Sequence, residues 1–108
     1  MKLLIAIVQD QDAPSLIDVV TERDFRVTRL ATSGGFLKAG NTTLLMGVDE
    51  SRIDELLEII KENCESREVP TSFVSMSIPG DTYMPYPINV QVGGATIFIL
   101  DVEKYLQY

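Results

Sequence analysis

The sequence has no histidine and a single cysteine, Cys64. The absence of histidine excludes a Ser-His catalytic pair and a histidine metal site. One cysteine cannot form an intrachain disulfide or a cysteine-cluster metal site. Basic residues are also few: nine Lys and Arg against sixteen Asp and Glu give a net charge of −7. We therefore expect no metal, no cofactor and no general surface for binding a nucleic acid polymer.

Long hydrophobic runs are lacking as well. The apolar run near the start covers only Leu3 to Val8, which is too short for a signal peptide or a membrane span. We expect a cytoplasmic protein with no membrane contact. The 108 residues, of which 45% are hydrophobic, predict one globular domain over residues 1–108. A domain this small has little room for a deep private site, so a site shared between subunits is favoured.

The hydrophobic pattern predicts six elements in the order β-α-β-β-α-β. Leu3 to Val8 is typical of a strand buried on both faces, and Asp12 can cap the helix that follows. The second helix, capped by Asp49 or Ser51, has apolar residues at i, i+3, i+4 and i+7 and an acidic outer face that favours solubility. The remaining strands are expected at 25–30, 42–48 and 88–100, the last interrupted by two glycines at 93–94.

This order predicts an α+β, ferredoxin-like fold with both helices on one face of an antiparallel sheet. The other face then needs cover, which favours oligomerisation. A long loop over residues 66–87 precedes the last strand and contains four prolines, with room for a short strand at 73–76. The tail after Asp101 is expected to form a final helical turn.

The glycine-rich segment from Thr32 to Asn41 is the most informative motif. Its run G-F-L-K-A-G-N-T approaches the phosphate-binding pattern G-x-x-x-x-G-K-[ST], but Asn41 replaces the lysine and a strand follows in place of a helix. We therefore exclude a P-loop NTPase. The glycines either present backbone N–H groups to a ligand or only turn the chain.

Positive charge is concentrated around this segment. Residues 23–41 contain Arg23, Arg26, Arg29 and Lys38 against one acid, Asp24. The bases either attract a small anion or pair with acids of the two helices.

Aromatic and amide side chains add to this zone. Phe36 either stacks on a planar ring or packs under the loop, and Asn41 and Gln107 carry amides that can read a base edge, although Asn41 also suits a plain turn. Asp10, Asp12 and Asp101 lack the spacing of an acid/base pair and are interpreted as caps and turn residues, so no enzyme is predicted.

Several long stretches resemble the PII-like cyclic di-AMP receptor family of bacteria: Ile5 to Asp12, Phe25 to Thr28, Leu30 to Thr43, Asp81 to Pro87 and Val92 to Phe98. The resemblance covers essentially the whole chain. It implies a PII-like homotrimer that binds one cyclic di-AMP in each of three inter-subunit clefts and transmits the signal to an unidentified downstream protein. It implies no catalysis.

The resemblance also implies roles for eleven residues. Arg26 and Thr28 match positions that contact phosphate or base, and Gly35, Phe36 and Leu37 match a loop that approaches adenine. The other matched positions supply a base-reading amide, main-chain contacts, a late-strand aromatic residue and a near-terminal glutamine: Gly40, Asn41, Gly47, Gly94, Phe98 and Gln107. Two alternatives share much of the pattern, an ATP-binding PII nitrogen regulator and an oligomeric assembly module without a ligand. The ten-residue loop from Thr32 to Asn41 is shorter than such a regulator usually has.

Overall fold

The computed structural model describes residues 1–30, 40–71 and 88–108. Its strands are β1 (Lys2–Gln9), β2 (Thr28–Leu30), β3 (Asn41–Val48), β4 (Arg67–Thr71), β5 (Ile88–Val92) and β6 (Ala95–Asp101). Its helices are α1 (Ala13–Glu22) and α2 (Ile53–Cys64), and a 3₁₀ turn over Glu50–Arg52 leads into α2. No helix within these residues has both the length and the apolar character that crossing a membrane requires.

Four strands form an antiparallel sheet in the order β2-β3-β1-β6. Both helices pack on one face of this sheet, where their apolar stripes meet alternate residues of β1 and β3. The buried cluster on that face includes Leu4, Ala6 and Val8 of β1, Leu44 and Met46 of β3, Leu16 and Val20 of α1, and Leu56 and Ile60 of α2. The predicted ferredoxin-like α+β fold is confirmed, with β6 in the position of the fourth strand.

The opposite face of the sheet, which we call the helix-free face, is apolar and open. It carries the odd-numbered residues of β1 with Leu45 of β3, and Phe98 and Leu100 of β6 stand opposite them across the ladder. Leu3, Ile5 and Ile7 are only half-buried, and Phe98 is 53% exposed. The prediction that β1 is buried on both faces is therefore wrong for the single chain.

The segment before the last strand differs from the prediction. β4 and β5 pair with each other in a separate two-stranded sheet, with Val69 opposite Val90. Pro70 is tolerated because each strand of such a pair is an edge strand, the position to which proline is confined within sheets. The predicted strand over 88–100 is two strands, because Gly93 and Gly94 take φ values of 85° and 102° and redirect the chain.

Three smaller predictions had different outcomes. The short strand expected at 73–76 lies outside the described residues. The tail after Asp101 forms no helix, since so few residues without packing cannot offset the cost of helix nucleation. Asp49 does cap the entry to α2, where its Oδ2 accepts a hydrogen bond from the backbone N of Ser51 at 3.1 Å.

Asp12 stands at the start of α1 but its side chain does not cap the helix. Its Oδ1 instead accepts a hydrogen bond from Arg67 Nη2 at 3.0 Å. The carboxylate is 6% exposed, so this ion pair is shielded on the Asp12 side. A charged partner from β4 has displaced the capping role that the sequence predicted.

Candidate functional site

An open pocket of about 490 Å³ lies at one end of the helix-free face. Its floor is formed by Leu3 and Gly47, which are paired across β1 and β3, and by Leu45, which is paired with Thr28 of β2. The remaining lining side chains come from the first residue, the chain before β2 and the tail: Met1, Arg26, Val102 and Tyr105. The pocket therefore combines an apolar floor with one guanidinium, from Arg26, and two hydroxyl groups, from Thr28 and Tyr105.

The end of α1 determines where Arg26 lies. Asp24 takes a φ of +65°, the left-handed conformation that ends many helices, and its N–H donates to the carbonyl of Thr21 at 3.1 Å. The N–H of Phe25 donates to the carbonyl of Val20 at 2.9 Å, which completes a Schellman motif. Phe25 is consequently buried in the core beside Val20, and Arg26, the next residue, is exposed at the pocket.

The basic zone predicted from the sequence is divided by ion pairing. Arg23 Nη1 lies 3.5 Å from Glu55 Oε2, so for this residue pairing with a helix acid is confirmed. Neither Arg26 nor Arg29 forms an ion pair with any residue in 1–30, 40–71 or 88–108. Arg29 stands opposite Leu44, on the helix-covered side of the edge strand, whereas Arg26 lines the pocket. Arg26 thus brings a full positive charge to the pocket, and Lys38 lies outside the described residues.

The structure brings together three of the residues predicted for the site, Arg26, Thr28 and Gly47. Gln107 is close by, since its Oε1 accepts a hydrogen bond from the hydroxyl of the pocket residue Tyr105 at 3.3 Å. The predicted residues Gly35, Phe36 and Leu37 lie outside the described part of the chain.

The other predicted residues are separated from the pocket within one chain. Asn41 begins β3, six residues before Gly47, which is about 20 Å along a strand. Phe98 lies on β6, three strand spacings or about 14 Å from β2. Gly40 precedes Asn41 with a φ of 94°, and Gly94 lies in the turn between β5 and β6. These four residues therefore do not meet Arg26 in the same chain.

Contacts at the end of β1 fix the position of Gly40 and Asn41. The backbone N of Asp10 donates to the carbonyl of Gly40 at 2.8 Å, and its carboxylate accepts a hydrogen bond from Thr42 Oγ1. Asp10 is thus a strand-bridging residue as well as a turn residue. Across β1 and β6, Lys2 Nζ donates a hydrogen bond to the Asp101 carboxylate, and this bond lowers the pKa of the Asp101 carboxyl.

Sequence reasoning missed the apolar part of the pocket. Leu3 and Leu45 were assigned to strand interiors, and nothing in the sequence marks them as pocket residues. Tyr105 did carry a signal, because a large aromatic in a short polar tail needs a surface to pack on. Within the described residues, no group of three or more acidic or cysteine side chains is arranged to hold a metal ion.

The fold and the pocket define a small ferredoxin-like protein with a cationic pocket on the open face of its sheet. The chain belongs to the cyclic-di-AMP receptor family, whose model matches residues 1–108. This confirms the family predicted from the sequence. Among solved structures the chain is similar to a crystal structure described as a functionally unknown protein from Pediococcus pentosaceus ATCC 25745. The two share 45% sequence identity with a TM-score of 0.78, over 99% of this chain and 96% of that chain.

Proposed function

We propose that this chain is a cytoplasmic sensor that binds cyclic di-AMP, without catalysis, in clefts between the subunits of a PII-like homotrimer. Residues 1–108 act as one domain in this proposal, and the ligand state is passed to a downstream protein. Membership of the cyclic-di-AMP receptor family supports the ligand. The observation that carries the site is the pocket formed by Arg26, Thr28 and Gly47 on the helix-free face.

The chemistry of the pocket suits a cyclic dinucleotide. Such a ligand carries two phosphates, each negative at neutral pH, and two planar bases. The Arg26 guanidinium supplies charge-assisted hydrogen bonds to a phosphate, and Thr28 supplies a neutral donor and acceptor beside it. The Leu3 and Leu45 floor offers an apolar surface to a base. The rest of this acidic chain repels longer nucleic acids.

A site between subunits explains why the residues matched to the family are separated within one chain. Asn41, about 20 Å from Gly47 along β3, is too far from Arg26 to reach the same ligand from a single subunit, and Phe98 does not line the pocket. A neighbouring chain packed on the helix-free face would bring a second set of these residues to the pocket. It would also cover Phe98 and Leu100, whose exposure is costly in an isolated subunit. A stable assembly of this kind buries on the order of 800 Å² per partner.

Base recognition is assigned to the amide of Asn41, which can pair with both a donor and an acceptor on the adenine edge. Gln107 is the second amide, placed beside the pocket by its hydrogen bond with Tyr105. Phe36 provides the stacking ring, and Gly35, Leu37, Gly40 and Gly94 provide close backbone approach. Phe98 closes the apolar side from a neighbouring subunit.

Two other functions fit the fold: an ATP-binding nitrogen regulator and an assembly module with no ligand. Thermal-shift measurements with cyclic di-AMP, ATP and cyclic di-GMP separate all three, because a ligand that binds only the folded state raises the melting temperature. We expect a rise with cyclic di-AMP that exceeds the other two. A larger rise with ATP favours the nitrogen regulator, and no rise with any nucleotide favours the assembly module.

The shared site requires an oligomer. Sedimentation equilibrium should give the mass of three chains, and a monomer would contradict the shared site.

The role of Arg26 is tested with a matched control at Arg29, three residues further along in β2. Arg26→Ala should weaken cyclic di-AMP binding by about 1.5–3 kcal/mol, or roughly ten- to more than a hundredfold in Kd, because a charge-assisted contact is lost. Arg29→Ala removes the same charge from the other side of the sheet edge. Since a screened charge without contact contributes little, its effect should stay within about threefold. Equal losses in calorimetric titrations of both variants would show that Arg26 makes no specific contact.

Asn41→Ala tests base recognition separately. Its binding of cyclic di-AMP should fall while its weak binding of cyclic di-GMP stays the same, because a lost hydrogen bond penalises the matched base alone. Calorimetric titrations of this variant with cyclic di-AMP and with cyclic di-GMP measure the two dissociation constants. An unchanged ratio of the two dissociation constants would remove Asn41 from the base-reading role.

A further inference from the structure

Arg52 connects the start of α2 to the end of α1. Its Nη2 donates a hydrogen bond to the backbone carbonyl of Arg23 at 2.8 Å, and its Cζ lies 4.0 Å from the centre of the Phe25 ring. Its Nε and Nη2 also donate to the two carboxylate oxygens of Glu55, at 3.1 and 3.2 Å. One guanidinium therefore contacts the last turn of α1, the aromatic residue after it and the first turn of α2.

These contacts act on a short segment that the Schellman motif and the burial of Phe25 hold at its start, before the first ladder bond of β2. β2 pairs with β3 only from Thr28 onward, so residues 25–27 lie between the helix and the first ladder bond. The carbonyl of Arg23, at the end of α1, is not bonded within the helix and is electronegative, so a guanidinium there is favourable. The ring of Phe25 is 5% exposed and is held between the core and Arg52. Arg26 follows directly.

We infer that Arg52 is a positioning residue, which holds the segment from Arg23 to Val27 so that the Arg26 guanidinium faces the pocket. The inference rests on the proposed function, because it assumes that Arg26 contacts the ligand. Arg52 does not line the pocket itself. Glu55 offsets its charge, and the bond from Arg52 lowers the pKa of the Glu55 carboxyl. Its contribution to binding is therefore orientation, with little long-range attraction.

The test compares the parent chain with Arg52→Met and Arg52→Lys. Methionine keeps much of the side-chain volume but loses the bond to the Arg23 carbonyl, the cation–π contact and the ion pair. We expect the Kd for cyclic di-AMP to rise about three- to tenfold, because the ligand must then order a segment that is held in place in the parent. Lysine can restore one hydrogen bond and the charge over the ring, so binding should recover part of that loss.

A measurement without ligand makes the result independent of the proposed function. Amide hydrogen exchange at residues 25–27 should be about tenfold faster in Arg52→Met than in the parent. If the parent does not bind the nucleotide, the proposed function is wrong, and exchange alone decides whether Arg52 holds the segment. Unchanged exchange at residues 25–27 would overturn the inference even if binding changed.

A core variant controls for general loss of stability. Ile60→Val removes one buried methyl group two turns further along α2 and costs about 1 kcal/mol of stability, while all the contacts of Arg52 are kept. Its Kd should match the parent's. If Ile60→Val weakens binding as much as Arg52→Met, the effect of Arg52 is one of stability and the positioning role is wrong.

Discussion

Replacing Arg67 with methionine is expected to destabilise the fold strongly, because it leaves Asp12 without its partner. Arg67 begins β4 and Asp12 precedes α1, so their ion pair attaches the two-stranded sheet of β4 and β5 to the helical layer. Asp12 Oδ1 accepts the bond from Arg67 Nη2 at 3.0 Å. Asp12 Oδ2 is buried with no hydrogen-bond partner within the described residues. The same bond raises the pKa of Arg67. Loss of Arg67 would leave a buried carboxylate with no cation.

The expected loss in the free energy of unfolding depends on how exposed the side chains of Asp12 and Arg67 are. Breaking a fully buried pair costs about 3–5 kcal/mol, because a buried charge is left uncompensated. The Asp12 side chain is 6% exposed but that of Arg67 is 41% exposed, so water can take over part of the lost interaction. We expect the free energy of unfolding to fall by about 2 kcal/mol. With a slope of roughly 1.5 kcal/mol/M, the urea midpoint should fall by about 1.3 M.

A double-mutant cycle isolates the pair from other effects. Asp12→Asn alone removes the charge, and Asp12→Asn with Arg67→Met removes both partners, so the double variant should be more stable than the two single losses together imply. All four proteins are unfolded in urea at one protein concentration, since assembly makes stability depend on concentration. A coupling below about 0.5 kcal/mol, or an Arg67→Met midpoint equal to the parent's, would refute a structural role for this pair.

Three further outcomes are expected. Asp24→Gly should raise the melting temperature by about 2–4 °C, because glycine adopts the +65° φ without strain; a lower melting temperature would contradict the Schellman motif. Stability should fall as the pH drops below about 4, because side-chain hydrogen bonds hold the pKa values of Asp49, Glu55 and Asp101 below their ordinary 3.8–4.5. The unfolded chain then binds more protons than the folded one, so acid urea titrations that show no decline would refute this. Burial raises the pKa of the Cys64 thiol to about 11, so thiol reagents at mildly alkaline pH should label it only after unfolding; rapid labelling of the folded chain would contradict its burial.

The elements that were predicted well from the sequence are those whose hydrophobic residues follow a strong pattern along the chain. The α2 stripe and the apolar β1 run both appear close to the expected positions, because each has one face in the core. β4 was missed because Arg67, Glu68 and Pro70 contradict strand propensity, and its partner β5 lies far along the chain. Local pattern cannot show such a pairing, nor that Gly93 and Gly94 divide one apolar run between two sheets.

The charged part of the pocket was predicted from the sequence and its apolar part was not, while the glycine-rich segment before Gly40 lies outside the described residues. Arg26 stood out because bases are few and clustered, and the structure does place it in a pocket with Thr28 and Gly47. Leu3 and Leu45 could not be distinguished from core residues, since the sequence does not show which face of a strand is open. Asp12 was assigned to a cap because its partner Arg67 is 55 residues away.

Calorimetric titration of the parent chain with cyclic di-AMP is the most direct test of the proposed function. We expect saturable binding of one nucleotide per chain, since three equivalent clefts in a trimer each serve one subunit. ATP and cyclic di-GMP should bind at least about tenfold more weakly, a difference of about 1.4 kcal/mol. The absence of saturable binding by cyclic di-AMP, or binding no tighter than that of ATP, would contradict the account.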